Sequence, residues 1–132
     1  MADLIVVDDD EDLREALSAI LLSLGHAVRI ARNGEEALDL LDQRLPDAVL
    51  LDVEMPVLDG PSTAYRMLVN DLGKENVPIV LLSGVLDLHL VAAQVGTPYF
   101  LGKPYTFEAL LPVLDRALTE RRAPHPALPA AS

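Results

Sequence analysis

The sequence predicts a single α/β domain, a five-stranded parallel sheet doubly wound with helices on both faces. Three observations point there. Apolar runs too short for helices recur five times, at Leu4 to Val7, Ala27 to Ile30, Ala48 to Leu51, Pro78 to Leu82 and Tyr99 to Leu101, and a segment of helical periodicity follows each. No long loop interrupts this alternation, and right-handed crossovers between successive strands then build a parallel sheet. Four of the runs give way to functional side chains: Asp8 and Asp9, Asp52, Ser83 and, past a glycine, Lys103. The C-terminal ends of parallel strands share one rim, where open α/β sheets bind ligands.

The elements can be justified in order. Leu4-Ile-Val-Val7 runs into five acids, Asp8 to Asp12. Asp10, Glu11 and Asp12 suit a helix start, where they meet free N–H groups and the positive dipole end, whereas Asp8 and Asp9 end the strand itself. Leu13, Ala16, Leu17, Ile20, Leu21 and Leu24 recur at helical spacing, and Gly25 stops that first helix. The second strand carries Arg29, as expected at a sheet edge. Asn33 caps the second helix with Glu36 in the capping-box position, its apolar face is Ala37, Leu40 and Leu41, and Pro46 closes it.

Ala48-Val-Leu-Leu51 has no helical period and reads as a strand buried on both faces. It ends on Asp52, and Pro56 with Asp59-Gly60 holds the following loop tight. Pro61 suits the first turn of a third helix faced by Ala64, Met67, Leu68 and Leu72. The fourth strand ends at Ser83-Gly84, and Leu88, Val91, Ala92 and Val95 sketch a short fourth helix. After the fifth strand and Gly102-Lys103-Pro104, Thr106 caps a last helix with stripe Phe107, Leu110, Leu111, Leu114 and Leu118. Pro112 inside it predicts a bend. Residues 1–120 form the domain, and the Ala/Pro-rich stretch 121–132 is expected to be a disordered tail.

Composition narrows the function classes. A chain of 132 residues suits one core. Charge breaks every long apolar stretch, so no membrane span is expected, and no basic leader precedes an apolar segment at the N-terminus. A cytoplasmic location is expected. With no cysteine, disulfides and thiolate chemistry are excluded and any metal is held by oxygen or imidazole. A net charge of −11 argues against sequence-independent binding to nucleic acid or an anionic membrane, and favours proteins or cations as partners.

The rim chemistry follows from residue types. Asp8, Asp9 and Asp52 together make a hard, oxygen-only site suited to Mg²⁺ completed by water, with the backbone carbonyl of Glu54 as a further ligand. Lys103 and the Ser83 hydroxyl add donors for oxygens that arrive with extra negative charge. That set suits phosphoryl transfer, with Asp52 as nucleophile forming an acyl phosphate while Mg²⁺ and Lys103 neutralise charge. Lys103 is expected to pair with Asp52 beforehand and with a phosphoryl oxygen afterwards.

The motifs Val6-Val7-Asp8-Asp9, Leu51-Asp52-Val-Glu-Met-Pro56 with Asp59-Gly60, Leu82-Ser83-Gly84 and Lys103-Pro104-Tyr105 resemble those of the receiver domain of two-component response regulators, over about residues 3–120. The resemblance implies a flavodoxin-like sheet of order 2-1-3-4-5 and phosphorylation of Asp52 by the phosphohistidine of a sensor histidine kinase or histidine phosphotransfer protein. It also implies a switch in which Ser83 is drawn inward and Phe100 rotates, although Phe100 could equally be a plain core residue. Readout would fall to helix four, strand five and helix five, with Leu90, Pro98 and Tyr99 as exposed contacts for a downstream target or a homodimer. The stretch between Ser83 and Lys103 is a couple of residues shorter than in most receivers, and Glu54 and Val85 flank the path of hydrolytic water in this family.

Other readings stay open. An aspartate-nucleophile phosphohydrolase of the haloacid dehalogenase type would need a second acid two residues after the nucleophile, where Glu54 stands, and a cap for which the chain has no room. A receiver that signals without phosphorylation usually loses the acids or the lysine, and all are present here. His26, His89 and His125 lie off the inferred rim. No output domain follows the last helix, so the expectation is a stand-alone receiver, acting as an adaptor or within a relay.

Overall fold

A computed structural model describes residues 1–70 and 73–126. Five strands, β1 (Asp3–Val7), β2 (Ala27–Ala31), β3 (Ala48–Asp52), β4 (Ile79–Ser83) and β5 (Tyr99–Gly102), alternate with five α-helices, α1 (Glu11–Ser23), α2 (Gly34–Gln43), α3 (Gly60–Asn70), α4 (Leu88–Val95) and α5 (Phe107–Glu120). All neighbouring strands pair in parallel, in the order β2-β1-β3-β4-β5. β1 and β3 lie inside the sheet, so the carboxylates that end them are neighbours.

Strand alternation divides the core into two layers. Ile5, Val7, Val49, Leu51, Ile79 and Leu81 face α2, α3 and α4 through Ala37, Leu41, Ala64, Met67, Ala92 and Val95. Leu4, Val6, Leu50, Val80, Leu82 and Tyr99 face α1 and α5 through Leu17, Leu21, Leu110, Leu114 and Ala117. Burying β1, β3 and β4 on both faces explains their unbroken apolar runs. Arg29 is tolerated within edge strand β2 because its guanidinium donates to the carbonyls of Leu40 and Arg44 at the C-terminal end of α2.

Several local expectations are met. Asp10, Asn33 and Thr106 cap α1, α2 and α5 by accepting from the N–H groups of Leu13, Glu36 and Ala109. Gly25 has φ +92° beyond the end of α1. Pro112, where a bend was expected, lies inside α5 without ending it.

Other details differ from the sequence reading. α1 buries Arg14, Leu17 and Leu21, while Ala16 and Leu24 are exposed, because Arg14 is anchored to the end of β1 and turns that face inward. The Glu36 carboxylate accepts from the N–H of Arg32 and pairs with its guanidinium instead of reaching the N–H of Asn33. On α3, Ala64 and Met67 are buried but Leu68 lies at the exposed edge of the stripe, and Leu72 falls outside the described residues.

The stretch after α5 also departs from expectation. Residues 121–126 have no helix or strand, yet they are placed against the domain and are not a free tail. Arg121 turns with φ +53°, the N–H of Arg122 donates to the Tyr99 hydroxyl, and the N–H of His125 donates to the Gly96 carbonyl. Pro124 is buried in that contact, so a proline-rich composition here supplies a packed strap. Residues 127–132 lie outside the description.

Candidate functional site

The C-terminal rim assembles every sequence-derived acid, hydroxyl and lysine around one cleft of about 460 Å³, lined by Asp8, Asp9, Asp52, Glu54, Ser83 and Lys103. Carboxylate oxygens of Asp8, Asp9 and Asp52 lie within 4.8 Å of one another. Asp8 and Asp52 are buried and Asp9 is exposed, so the cluster opens to solvent on one side. Three oxygen donors at that spacing, with no sulfur or imidazole, fit a hard divalent cation that keeps part of its water shell.

Asp8 is the anchored member. Its N–H donates to the Ala31 carbonyl, one carboxylate oxygen accepts from the N–H of Asp10 at 2.9 Å, and the other from Lys103 Nζ at 2.9 Å. Its carbonyl accepts from Arg14 Nη1 at 2.8 Å. Lys103 thus pairs with Asp52 Oδ1 at 3.6 Å, as expected, and makes a closer bond, at 2.9 Å, to Asp8 Oδ2. β5 lies at the sheet edge next to β4, and from there the lysine reaches across Ser83 to both carboxylates.

Burial sets the electrostatics of Asp52. Loss of water pushes its pKa up from 3.8 to about 6; Lys103 opposes this, and the charges of Asp8 and Asp9 reinforce it. For Lys103 burial works downward, but the hydrogen bond to Asp8 and the charges of Asp52 and Asp8 outweigh it, so the ammonium holds its proton above the ordinary range. The Tyr105 phenol is pushed up to about 12 by burial and then by Asp8 and Asp52.

The loop after Asp52 folds back onto β3. The N–H of Gly60 donates to the Val53 carbonyl at 2.9 Å, and a Cβ on Gly60 would lie 2.7 Å from the Asp52 carbonyl oxygen. Only glycine fits that approach. Asp59 caps the same turn by accepting from the N–H of Ser62. The Glu54 side chain is exposed beside Asp9 along a neighbouring groove.

The remaining sequence-derived positions divide. The buried Ser83 Oγ accepts from the N–H of Val85 at 3.3 Å, within its own loop. Phe100 is 39% exposed, so it is no plain core residue. Its register opposite Leu81 puts it on the α4 side of the edge strand, where little covers it. Tyr99 is fully buried on the α5 side, with its hydroxyl donating to Glu120, and cannot be an exposed contact. Leu90 is exposed and Pro98 half-buried. His26 accepts the N–H of Ala2 through Nδ1, away from the rim.

Sequence reasoning missed Arg14 and the Tyr105 hydroxyl. Arg14 was detectable in principle, because it stands three and seven residues before Leu17 and Leu21 on one helical face. The Tyr105 hydroxyl is buried without a hydrogen-bond partner among the described residues, and only tertiary packing places it near the acids.

A doubly wound parallel sheet whose C-terminal rim gathers three aspartates, a lysine and a buried hydroxyl defines a receiver-type domain. The sequence model of the response regulator receiver domain matches residues 4–115, and the chain belongs to that family. It is similar to Response regulator MprA of Mycobacterium sp. (strain KMS), 37% identical over 123 residues that cover 92% of this chain and 52% of the relative. The chain thus spans about half the length of the curated relatives it matches. Among solved structures it resembles the receiver domain of NtrX from Brucella abortus, with TM-score 0.79, 30% identity and coverage of 89% and 98% of the two chains. It also resembles Vibrio cholerae chemotaxis protein CheY4, with TM-score 0.77, 30% identity and coverage of 88% and 98%.

Proposed function

We propose that this receiver takes a phosphoryl group onto Asp52 from the phosphohistidine of a sensor histidine kinase or a histidine phosphotransfer protein. The observation that carries the reading is the convergence of Asp8, Asp9 and Asp52 within 4.8 Å, with Lys103 against two of them. A carboxylate oxygen of Asp52 attacks phosphorus in line, the P–N bond breaks, and the imidazole leaves with the electron pair and takes a proton. Asp52 becomes an acyl phosphate. A pKa of about 6 leaves it largely ionised, hence nucleophilic, at neutral pH.

Asp8, Asp9 and Asp52, with the Glu54 carbonyl, would hold Mg²⁺, which when bound neutralises charge on the transferred group. Lys103, already protonated and held by Asp8, turns its remaining donors to a phosphoryl oxygen. The domain thereby supplies most of the catalysis for its own phosphorylation and dephosphorylation.

Output follows from charge. A phosphoryl group adds about −1.5 to −2 charges, which draws the Ser83 hydroxyl from the Val85 N–H toward the new oxygens and lets Phe100 turn inward. The α4–β5–α5 face, exposing Leu90 and Phe100, would present the changed surface to a downstream protein target or a second copy of the chain. The net charge of −11 favours protein over direct nucleic-acid contact. No helix among the described residues is long and apolar enough to cross a membrane, and a cytoplasmic site of action fits a kinase partner there.

The test is intact mass after incubation with acetyl phosphate, with and without Mg²⁺, on the natural chain and Asp52→Asn. One Mg²⁺-dependent adduct, absent from the variant, supports the reading. A folded, Mg²⁺-binding chain that takes no adduct would instead be an interaction module that does not use phosphate.

A further inference from the structure

Arg14 is a buried cation outside the set of groups that transfer phosphate. It is 6% exposed, its Nε has no hydrogen-bond partner, and it makes no ion pair among the described residues. A guanidinium stripped of water without a carboxylate to answer it is costly, so its one resolved hydrogen bond needs an explanation. That bond runs 2.8 Å from Nη1 to the carbonyl oxygen of Asp8. The acceptor belongs to the peptide plane that joins Asp8 to Asp9.

The location makes the bond consequential. β1 ends at Val7 and the Asp8 N–H still donates to the Ala31 carbonyl of β2, but no strand pairing extends to the Asp8–Asp9 peptide beyond it. Asp8 has its side chain held by Asp10 and Lys103, but Asp9 is exposed and has no side-chain hydrogen bond among the described residues. The direction of the Asp9 carboxylate thus depends on the plane that Arg14 holds. α1 carries this arginine on its inner face, one turn past the Asp10 cap, so the cap and the arginine clamp the Asp8–Asp9 turn from the same helix.

We infer that Arg14 is a positioning residue, which orients the Asp8–Asp9 peptide through the Asp8 carbonyl and so sets the spacing of the carboxylates that would hold Mg²⁺. The inference rests on the metal-binding part of the proposed function. Partners of this kind, one shell out from a metal, typically change its affinity about 10- to 100-fold when removed. Arg14→Met keeps most of the apolar stem and loses every donor. Arg14→Lys keeps the charge and one way of reaching the carbonyl.

Mg²⁺ affinity is measured by titration calorimetry on the full chain and both variants, at a temperature where circular dichroism shows each folded. Binding at least about tenfold weaker in Arg14→Met, recovered in large part by Arg14→Lys, is the expected result. An Arg14→Met chain that binds Mg²⁺ as tightly as the natural one, with only its melting temperature lowered, would confine Arg14 to holding α1 against the sheet and overturn the inference. As a readout independent of the variants' folding, the guanidinium NMR signals of Arg14 in the natural chain should shift with Mg²⁺ and saturate with the calorimetric affinity. Signals that stay fixed through saturation would likewise overturn it. Absence of Mg²⁺ binding by the natural chain would remove the functional reading itself, whereas equal binding by natural and Met chains removes this inference alone.

Discussion

Lys103 Nζ lies 2.9 Å from Asp8 Oδ2 and 3.6 Å from Asp52 Oδ1, so the lysine is tethered to one acid and leans over the other. The tether orders a long side chain in the resting site and, in the function proposed above, would leave Asp52 free to act as nucleophile. Lys103→Met should slow phosphorylation by acetyl phosphate on the order of 10²- to 10³-fold, the effect of removing one well-placed donor. Mg²⁺ affinity should hold or rise, because the variant takes a cation away from three carboxylates. Time-resolved intact mass and calorimetry separate the two effects. A parallel loss of both would point to collapse of the site.

Asp52 gives a pH prediction with a definite sign. Its folded pKa of about 6 exceeds the ordinary 3.8, so the folded chain binds this proton more tightly than the unfolded one. The resulting stabilisation is fully present below about pH 4 and is lost as pH rises through 6. Asp52→Asn cannot ionise and should stabilise the metal-free protein at pH 8 by about 2 kcal/mol, with the gain shrinking below pH 6. Urea melts in a chelator at pH 8 and pH 5 test this. A gain equal at both values would trace it to packing instead of charge.

Val57 occupies the left-handed half of φ space at +71°, in a three-residue turn closed by the Leu58 N–H on the Pro56 carbonyl at 2.8 Å. A β-branched residue is strained there, and its side chain is exposed, so little packing would be lost on replacement. Val57→Asn should raise stability by about 1 kcal/mol, since asparagine tolerates positive φ. Chemical denaturation measures it, and a loss of stability would mean that the valine side chain makes an unrecognised contact.

Gly96 joins the end of α4 to the strap after α5. It has φ +74°, and a Cβ there would stand 2.3 Å from the His125 carbonyl oxygen. Gly96→Ala should cost about 1–3 kcal/mol and raise hydrogen exchange at the His125 amide as the strap lifts. Retained protection at His125 would show that the strap adapts to the added methyl group.

What could be read in advance depended on short-range pattern. The apolar runs at Leu4, Ala48 and Ile79 are unbroken because those strands are buried on both faces, and their alternation with helices sets a parallel sheet. A parallel sheet brings all its strand C-termini to one rim, which is why Asp8, Asp9, Asp52, Ser83 and Lys103 were identifiable as one site although 95 residues separate the first from the last. Gly60 also belongs to this class, since Asp59-Gly60 after a proline marks a tight turn before the reason for the glycine is visible.

Side-chain direction and long-range pairing were not legible. β5 has four residues, and alternation says that Tyr99 and Phe100 face opposite ways without saying which is covered; α5 lies over the Tyr99 face and α4 leaves the Phe100 face open. The strap was misread because composition reports how little apolar surface Arg121 to Pro126 carries, not that Gly96 lacks a side chain to keep it away. By itself the sequence determined the strand order of events along the chain, the rim and the chemistry gathered on it, since local periodicity and strand ends encode these. Tertiary structure alone decided that Lys103 rests on Asp8, that Arg14 turns inward to the Asp8–Asp9 peptide, and that Asp52 is dry enough to hold a proton to about pH 6. Distances between elements and the exclusion of water arise only when the layers close.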